Sequence, residues 1–138
     1  MRNIHNMNKK RVITFGTFDV LHIGHINILE RAANLGSKLV VGVSSDNLNL
    51  QKKGRAPIYS EQDRVKIVSS LKFVDEVFIE ESLELKGQYI KDFYADILVM
   101  GDDWKGKFDN YKNICEVAYL VRTPSISTTE IIEIVKKI

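Results

Sequence analysis

Two histidines stand close together where an apolar run gives way to a helical pattern. His22 and His25 flank Gly24, they follow the strand-like run 12–15, and the helical pattern covers residues 24–35. The first backbone N–H groups of a helix lack internal partners and the dipole there is positive, so this end attracts phosphate. Two imidazole donors can stabilise the extra charge on a phosphorus under attack. The pair therefore predicts chemistry on phosphate.

A metal site or a structural role is the alternative for this pair. Two histidines are too few ligands for structural zinc, and the sequence has no cysteine cluster to complete such a site. Gly24 favours ligand binding, because a residue without a Cβ atom lets a ligand approach the backbone closely.

The turn before the histidines contains Thr17, Phe18 and Asp19. Thr17 and the neighbouring backbone N–H groups are candidates for phosphate contacts, whereas Phe18 is expected to pack. A carboxylate beside phosphates would repel them, so Asp19 is expected to cap the coming helix or to orient a histidine.

Three cations lie within four residues in the segment 51–57, which is interpreted as a loop after the strand-like run 38–44. They are Lys52, Lys53 and Arg55. Lys52 could balance the charge of a polyphosphate or of a phosphorylated substrate. The alternative is a solvated surface loop.

Two carboxylates and a tryptophan follow the apolar run 97–100. Asp102 and Asp103 suggest a divalent cation or contacts to ligand hydroxyl and amino groups, and Trp104 could stack on a base. A tight polar turn is the alternative for this segment.

Arg122 precedes a group of hydroxyl residues at the start of a predicted helix, 127–137. Ser127 and Thr128 at a helix N-terminus would hold the phosphates of a nucleoside triphosphate. The alternative is a well-capped helix, which Ser127 alone would explain.

Strand-like and helix-like stretches alternate along the chain, which predicts an α/β fold: one domain with a doubly wound parallel sheet of about five strands. In such sheets the ligand site lies beyond the carboxyl ends of the strands, so the segments above should meet at one edge. Residues 1–10 are predicted to be a flexible lead to a domain at 11–138. The strand candidates are 11–15, 38–44, 74–79, 97–100 and 115–120, and the helix candidates are 24–35, 60–71, 84–94 and 127–137.

The composition argues against two kinds of partner, nucleic acids and membranes. The 138 residues carry a net charge of +2 without a basic stripe, which argues against a nucleic-acid partner. No apolar run approaches the roughly 20 residues of a membrane span, which argues against a membrane partner.

The single Cys115 excludes an internal disulfide, fits a reducing compartment and is expected to be a buried, inert thiol in a strand. The predicted location is the cytoplasm.

Five stretches resemble the cytidylyltransferase family of His-x-Gly-His nucleotidyltransferases, and together they run from about residue 11 to 132. The His-x-Gly-His element alone marks only the superfamily, which includes adenylyltransferases. Met-Gly-Asp-Asp-Trp at 100–104 and Arg-Thr-x-x-Ile-Ser-Thr-Thr at 122–129 are more specific to cytidylyltransferases. The matching stretches are 12–25, 49–52, 74–77, 99–109 and 122–129.

The resemblance implies a Rossmann-like homodimer that uses Mg2+ and couples CTP to a small phosphorylated alcohol. The implied acceptor is sn-glycerol 3-phosphate, giving CDP-glycerol and pyrophosphate, with a role in teichoic-acid or capsule synthesis. Phosphoethanolamine, phosphocholine or a related phosphorylated acceptor is an alternative. Adenylyl transfer from ATP and a non-catalytic nucleotide-binding module are further alternatives.

On the nucleotide side, the resemblance implies that His22 and His25 contact the CTP phosphates and stabilise the transition state. It places Asp103 near the nucleotide or its metal and gives Arg122 a grip on phosphate. The remaining nucleotide-side residues are Thr17 and Phe18, which border the pocket, and Ser127 and Thr128, which cap the triphosphate.

On the acceptor side, the resemblance implies that Lys52 neutralises phosphate, and Lys72 is a second candidate. Lys72 replaces an arginine of the glycerol-3-phosphate members, and an ammonium cannot reproduce the bidentate grip of a guanidinium. Pro124 and Ser125 replace Glu-Gly, and Leu83 lies in a region where a tryptophan is expected. These departures leave the acceptor open.

Overall fold

Five parallel strands joined through helices form the centre of the protein. The computed structural model describes residues 9–124 and 126–138, so most of the predicted N-terminal lead, residues 1–8, lies outside the described residues, as does Ser125. The strands are β1 (Arg11–Gly16), β2 (Lys38–Ser44), β3 (Glu76–Glu80), β4 (Ile97–Gly101) and β5 (Glu116–Leu120).

The strand order is β3-β2-β1-β4-β5, and every neighbouring pair is parallel. β1 pairs with both β2 and β4, so the winding of the chain reverses between β1 and β4. A crevice opens beyond the carboxyl ends of the strands at such a switch point, which is where open α/β sheets bind ligands. The predicted Rossmann-like sheet of five strands is confirmed.

The central strands are mostly apolar because both faces of the sheet are covered. One core cluster packs against α1 and α3, and the other packs against α4. The helices are α1 (Ile23–Ala33), α2 (Asp46–Lys53), α3 (Glu61–Ser69), α4 (Lys86–Asp92) and α5 (Thr128–Lys136), with short 3-10 turns at Leu83–Leu85, Asp102–Trp104 and Asp109–Asn113.

The helix α2 was not predicted from the sequence, and the segment 51–57 was interpreted as a loop. The Ser45 side chain accepts a hydrogen bond from the Leu48 N–H and caps the start of α2, and Gly54 at φ 73° ends it. The eight residues between these caps are mostly polar and lack a clear apolar period, which hid the helix. Lys52 therefore lies on the last turn of a helix and not in a loop.

Two smaller corrections concern the second half of the chain. The predicted helix 84–94 is shorter, because Leu83–Leu85 forms a 3-10 turn before α4. Cys115 is half-buried and precedes β5, so it is not in the strand. Burial raises the pKa of its thiol, which keeps it protonated and unreactive, in line with the predicted role. Within 9–124 and 126–138, no helix is long and apolar enough to cross a bilayer.

Candidate active site

A cavity of about 870 Å³ opens at the carboxyl ends of the strands. Its walls come from the segments after β1, β2, β3, β4 and β5, and from α2 and α5. Most of the candidate site residues that the sequence analysis places on four separate segments therefore meet in one space, as the topology of a parallel sheet requires.

The lining of this cavity is strongly cationic. Seven lining side chains are Lys or Arg and three are Asp or Glu, although the whole chain has a net charge of only +2. A concave, positively charged surface concentrates anions. The cations are Lys52, Lys53, Arg55, Lys86, Lys107, Arg122 and Lys136, and the carboxylates are Asp19, Glu80 and Asp103.

The two histidines form one structural unit at the start of α1. His22 is the N-cap: its Nδ1 accepts a hydrogen bond from the Gly24 N–H at 3.0 Å, while His25 Nδ1 accepts from the His22 N–H at 3.1 Å. The two rings stack with centroids 3.8 Å apart. Because both Nδ1 atoms are acceptors, the neutral imidazoles carry their protons on Nε2.

Both imidazoles are neutral near pH 7. Burial, the adjacent His22 imidazole and the Arg122 guanidinium lower the pKa of His25 to about 4, against the opposing effect of Asp19. Burial and Arg122 also lower the pKa of His22. His25 lines the cavity, whereas His22 stacks behind it with a buried Nε2 that has no hydrogen-bond partner among the described residues. A buried donor without a partner is costly.

Phe18 and Gly24 hold this pair in place. Phe18 is buried in a left-handed conformation with φ 54°, and its ring meets the edge of His25 at 5.6 Å between centroids. A Cβ atom on Gly24 would lie 2.8 Å from Cε1 of His22. Glycine is therefore needed here to make room for the His22 ring, and not only for a ligand as the sequence suggested.

Asp19 neither caps α1 nor orients a histidine. Its carboxylate accepts hydrogen bonds from the Ile58 and Tyr59 N–H groups at 2.7 and 2.9 Å. These bonds fix the segment between α2 and α3 against the turn after β1. His22 takes the capping position instead, because its imidazole Nδ1 is also a suitable acceptor.

Thr17 belongs to a buried polar network that joins β1 to α2. Its hydroxyl donates to Asn49 Oδ1 at 2.9 Å and accepts from Lys53 Nζ at 3.4 Å, while Asn49 Nδ2 donates to the Ser45 carbonyl. Lys52 is exposed and lines the cavity from α2. Lys52 was selected as a site residue from the sequence, whereas Lys53 was noted only as a neighbouring cation. The contact of Lys53 with Thr17 depends on α2, which was not predicted.

Lys72 is not brought into the cavity. It is exposed in the turn between α3 and β3, at the amino end of that strand, whereas the lining residues lie at the carboxyl ends. The direction of a parallel strand separates these two edges of the sheet by the full length of the strand. Lys72 is therefore corrected from a candidate for this site to an exposed residue at the opposite edge of the sheet.

Arg122 and Asp103 face each other across the ends of β4 and β5. Arg122 Nη1 donates to Asp103 Oδ2 at 3.1 Å, and both half-exposed side chains line the cavity. Gly101 makes this possible, because a Cβ atom there would lie 2.7 Å from Asp103 Oδ1. Trp104 lines the same region and is 46% exposed, so its ring is available for stacking.

The start of α5 closes the cavity on the side of the histidine turn. Ser127 Oγ accepts a hydrogen bond from the Glu130 N–H, which leaves its own proton to donate. The Thr128 hydroxyl donates to the Asp19 carbonyl at 2.8 Å, so it ties α5 to the histidine turn. Ser127, Thr128 and Thr129 line the cavity, so the first turn of α5, whose backbone N–H groups have no acceptor within the helix, borders this space.

A fully buried arginine connects the segments around the site, and the sequence analysis missed it. Arg64 donates from Nη1 to the Thr17 and Ser44 carbonyls at 2.9 and 2.7 Å, and from Nε to the Tyr59 carbonyl at 3.0 Å. Its Nη2 also pairs with Asp46 at 2.7 Å. Nothing in the sequence indicated that Arg64 is buried, because the local pattern around it is the same as that around an exposed arginine on a helix.

The donor set suits a metal ion that arrives with a triphosphate. No group of three His, Cys, Asp or Glu side chains that could hold a metal occurs in the part of the chain that the structure describes. Mg2+ keeps several waters and is bound by substrate phosphates with only one or two carboxylates. Asp103 is the half-exposed carboxylate beside Arg122 that meets this need.

Comparisons with known proteins agree with this geometry. The sequence model of the cytidylyltransferase-like family matches residues 13–134. The glycerol-3-phosphate cytidylyltransferase of Bacillus subtilis is 54% identical over 90% of this chain and 95% of its own length. The glycerol-3-phosphate cytidylyltransferase of Staphylococcus aureus is 45% identical over 88% of this chain and 92% of its own length. A solved lipopolysaccharide core biosynthesis protein from Thermoplasma volcanium superposes with a TM-score of 0.73 at 28% identity, covering 83% of this chain and 98% of that one.

Proposed function

The chain belongs to the cytidylyltransferase-like family, and we propose that it couples CTP to sn-glycerol 3-phosphate, giving CDP-glycerol and pyrophosphate. This proposal rests on the similarity of the chain to two glycerol-3-phosphate cytidylyltransferases, which are 54% and 45% identical to it over nearly its whole length. The cationic cavity with its stacked histidines provides the chemistry that the reaction needs.

The reaction is a displacement at the α-phosphorus of CTP. A phosphate oxygen of the acceptor forms a new bond to this phosphorus, while the bond to the oxygen that bridges the α- and β-phosphorus atoms breaks. Pyrophosphate leaves with the bonding electrons, and no covalent enzyme intermediate is needed. The protein's work is to position two anionic reactants and to stabilise the charge that develops between them.

The two neutral imidazoles supply hydrogen-bond donors for that charge. Each Nδ1 is occupied by a backbone N–H, so the remaining donor of each ring is Nε2–H. His25 lines the cavity and can donate to phosphate oxygens there, whereas Nε2 of His22 is buried behind it. The stacking of the rings and the edge of Phe18 fix their direction before substrate binds. Loss of one such preorganised donor costs on the order of 100-fold in rate.

Arg122, Ser127 and the start of α5 bind the triphosphate on the other wall. Asp103 orients the Arg122 guanidinium, which presents further N–H donors to the cavity. Mg2+, when bound with CTP, would neutralise phosphate charge, and Asp103 is the residue that would help to hold it. Lys52 and Lys53 add positive charge from α2.

A matrix of nucleotides and acceptors tests the proposal. CTP and ATP are each incubated with sn-glycerol 3-phosphate, phosphoethanolamine, phosphocholine or no acceptor, and pyrophosphate release is measured. CTP with sn-glycerol 3-phosphate should give the highest kcat/KM. Turnover of CTP with another acceptor only would overturn the substrate, turnover of ATP only would overturn the nucleotide, and no turnover with any pair would overturn the enzyme assignment.

Assembly and cellular role are further parts of the proposal, supported by the family resemblance. The protein would be a cytoplasmic homodimer, and CDP-glycerol would supply glycerol phosphate units for a teichoic-acid or capsular polymer. Light scattering during size-exclusion chromatography should give a mass near twice the 15.8 kDa of one chain. A mass of one chain at micromolar concentration would contradict the dimer.

A further inference from the structure

Helix α1 holds the chain on both sides of Arg122. Arg31 Nη1 donates a hydrogen bond to the Val121 carbonyl at 2.6 Å, and Asn27 Nδ2 donates to the Thr123 hydroxyl at 3.1 Å. Each of the two residues that flank Arg122 in the sequence is therefore bonded to the same helix. The roles argued above leave Asn27 and Arg31 without a function.

The position of Arg122 depends on such contacts, because its backbone lies beyond the end of the sheet. The pairing of β5 with β4 ends at Leu120, which lies opposite Gly101. The Arg122 side chain is half-exposed and pairs with the half-exposed Asp103 carboxylate. An ion pair that is open to water holds a long side chain only weakly. The two hydrogen bonds from α1 therefore fix the chain at Arg122 where the sheet no longer does.

Both donor side chains belong to the helix that carries His25 in its first turn. An α-helix has a fixed rise of about 1.5 Å per residue, so a segment bonded to it keeps a set distance from the histidines. A Cβ atom on Gly24 would lie 3.2 Å from Cγ2 of Ile126, so the chain after Arg122 also packs on the start of α1. Besides burial, the Arg122 guanidinium lowers the pKa of both imidazoles, as expected for groups that face one region of the cavity.

We propose that Arg31 and Asn27 are positioning residues, which hold Arg122 at a set distance from the histidine pair. This inference rests on the proposed function, because it assumes that Arg122 binds a phosphate of the nucleotide. One rigid helix then places both walls of the triphosphate site before CTP binds, so less order has to be gained on binding. Arg31 should contribute more than Asn27, because its hydrogen bond is shorter and its donor is charged.

A double-mutant cycle tests whether Arg31 acts through Arg122. The Kd for α,β-methylene CTP, a nucleotide analogue that cannot react, is measured by calorimetry for Arg31→Met, Arg122→Met and the double variant. Arg31→Met should weaken binding about 10-fold in the wild-type background but less than about 2-fold in the Arg122→Met background, because the group that it positions is then absent. Lys91→Met removes the same charge at an exposed position of α4 and should bind like the wild type.

The outcomes separate this inference from the proposed function. If Arg31→Met binds the analogue like the wild type, or weakens binding equally in both backgrounds, the positioning role is wrong even when the wild type makes CDP-glycerol. If the wild type makes no CDP-glycerol but the coupling is found, the positioning role stands and the proposed reaction is wrong. If Arg122→Met itself binds like the wild type, Arg122 does not hold phosphate and the inference fails with it. Asn27→Ala removes only a neutral hydrogen bond and gives the same cycle, with a loss of about 3-fold, if Arg31→Met fails to fold.

Discussion

The His22 backbone N–H donates to Nδ1 of His25 at 3.1 Å, while the two imidazole rings stack 3.8 Å apart. The residue that caps the helix therefore also sets the orientation of its partner. Because this contact uses Nδ1 as an acceptor, it fixes the tautomer with the proton on Nε2. The spacing of the two histidines provides a capping arrangement and leaves Nε2–H as the remaining donor of each ring.

The depressed pKa of His25 makes folding stability depend on pH. The unfolded imidazole titrates near 6.5 and the folded one at about 4, so the unfolded state binds more protons between these values. The contribution of His25 to the free energy of unfolding is fully present above about pH 6.5 and is lost as the pH falls toward 4; it amounts to at most about 3 kcal/mol. The free energy of unfolding is measured by urea unfolding from pH 7.5 to 4 in steps of roughly half a pH unit.

His25→Gln is the control for this pH dependence, because carboxylates also titrate in the acid part of the range. The variant should lose less stability than the wild type between these pH values. Equal losses for the two proteins would show that His25 titrates in the folded state near its ordinary pKa.

Gly24→Ala should lower kcat about 10-fold or more while the protein stays folded. The added Cβ would lie 2.8 Å from Cε1 of His22, so the ring must turn and release its contact with the Gly24 N–H. Alanine is otherwise favoured over glycine within a helix by about 1 kcal/mol, which offsets part of the strain. Steady-state kinetics and urea unfolding are compared with those of Glu30→Ala, an exposed change on the same helix. Unchanged kcat in Gly24→Ala would mean that the His22 ring position is unimportant.

Arg64→Met should lower the free energy of unfolding by about 3 kcal/mol, because buried carbonyl groups lose a charged donor. These carbonyls belong to Thr17, Ser44 and Tyr59, which lie on three segments around the cavity. Lys66→Met, at an exposed position of the same helix, should change it by less than about 0.5 kcal/mol. Equal stability of the two variants, measured by urea unfolding, would contradict a role for Arg64 in holding the site together.

Much of the fold followed from the sequence because periodicity is strong in its main elements. The strands β1, β2 and β4 consist mostly of apolar residues, and Ser60 and Ser127 cap α3 and α5 where the patterns begin. The helix α2 was missed because its short polar run has caps but no clear apolar period.

The candidate site was only partly predictable, for a different reason. The histidine, arginine and lysine candidates that follow strands were found because topology alone places the carboxyl ends of strands together. Lys72 was selected from the family resemblance alone, although it precedes the predicted strand 74–79 and therefore lies at the amino end of that strand. Arg64 and Lys86 were missed because their burial depends on tertiary packing that no local pattern reports.

The role of the histidine donors is tested most directly by His25→Asn. The wild type and the variant are compared for the rate of CDP-glycerol formation from saturating CTP and sn-glycerol 3-phosphate, together with the Kd for α,β-methylene CTP. Asparagine keeps an acceptor near the position of Nδ1, which accepts from the His22 N–H, but cannot place a donor where Nε2 lies. The expected result is a kcat at least about 100-fold lower, with the Kd for the nucleotide changed only a few-fold. A kcat within about 3-fold of the wild type would contradict transition-state stabilisation by His25.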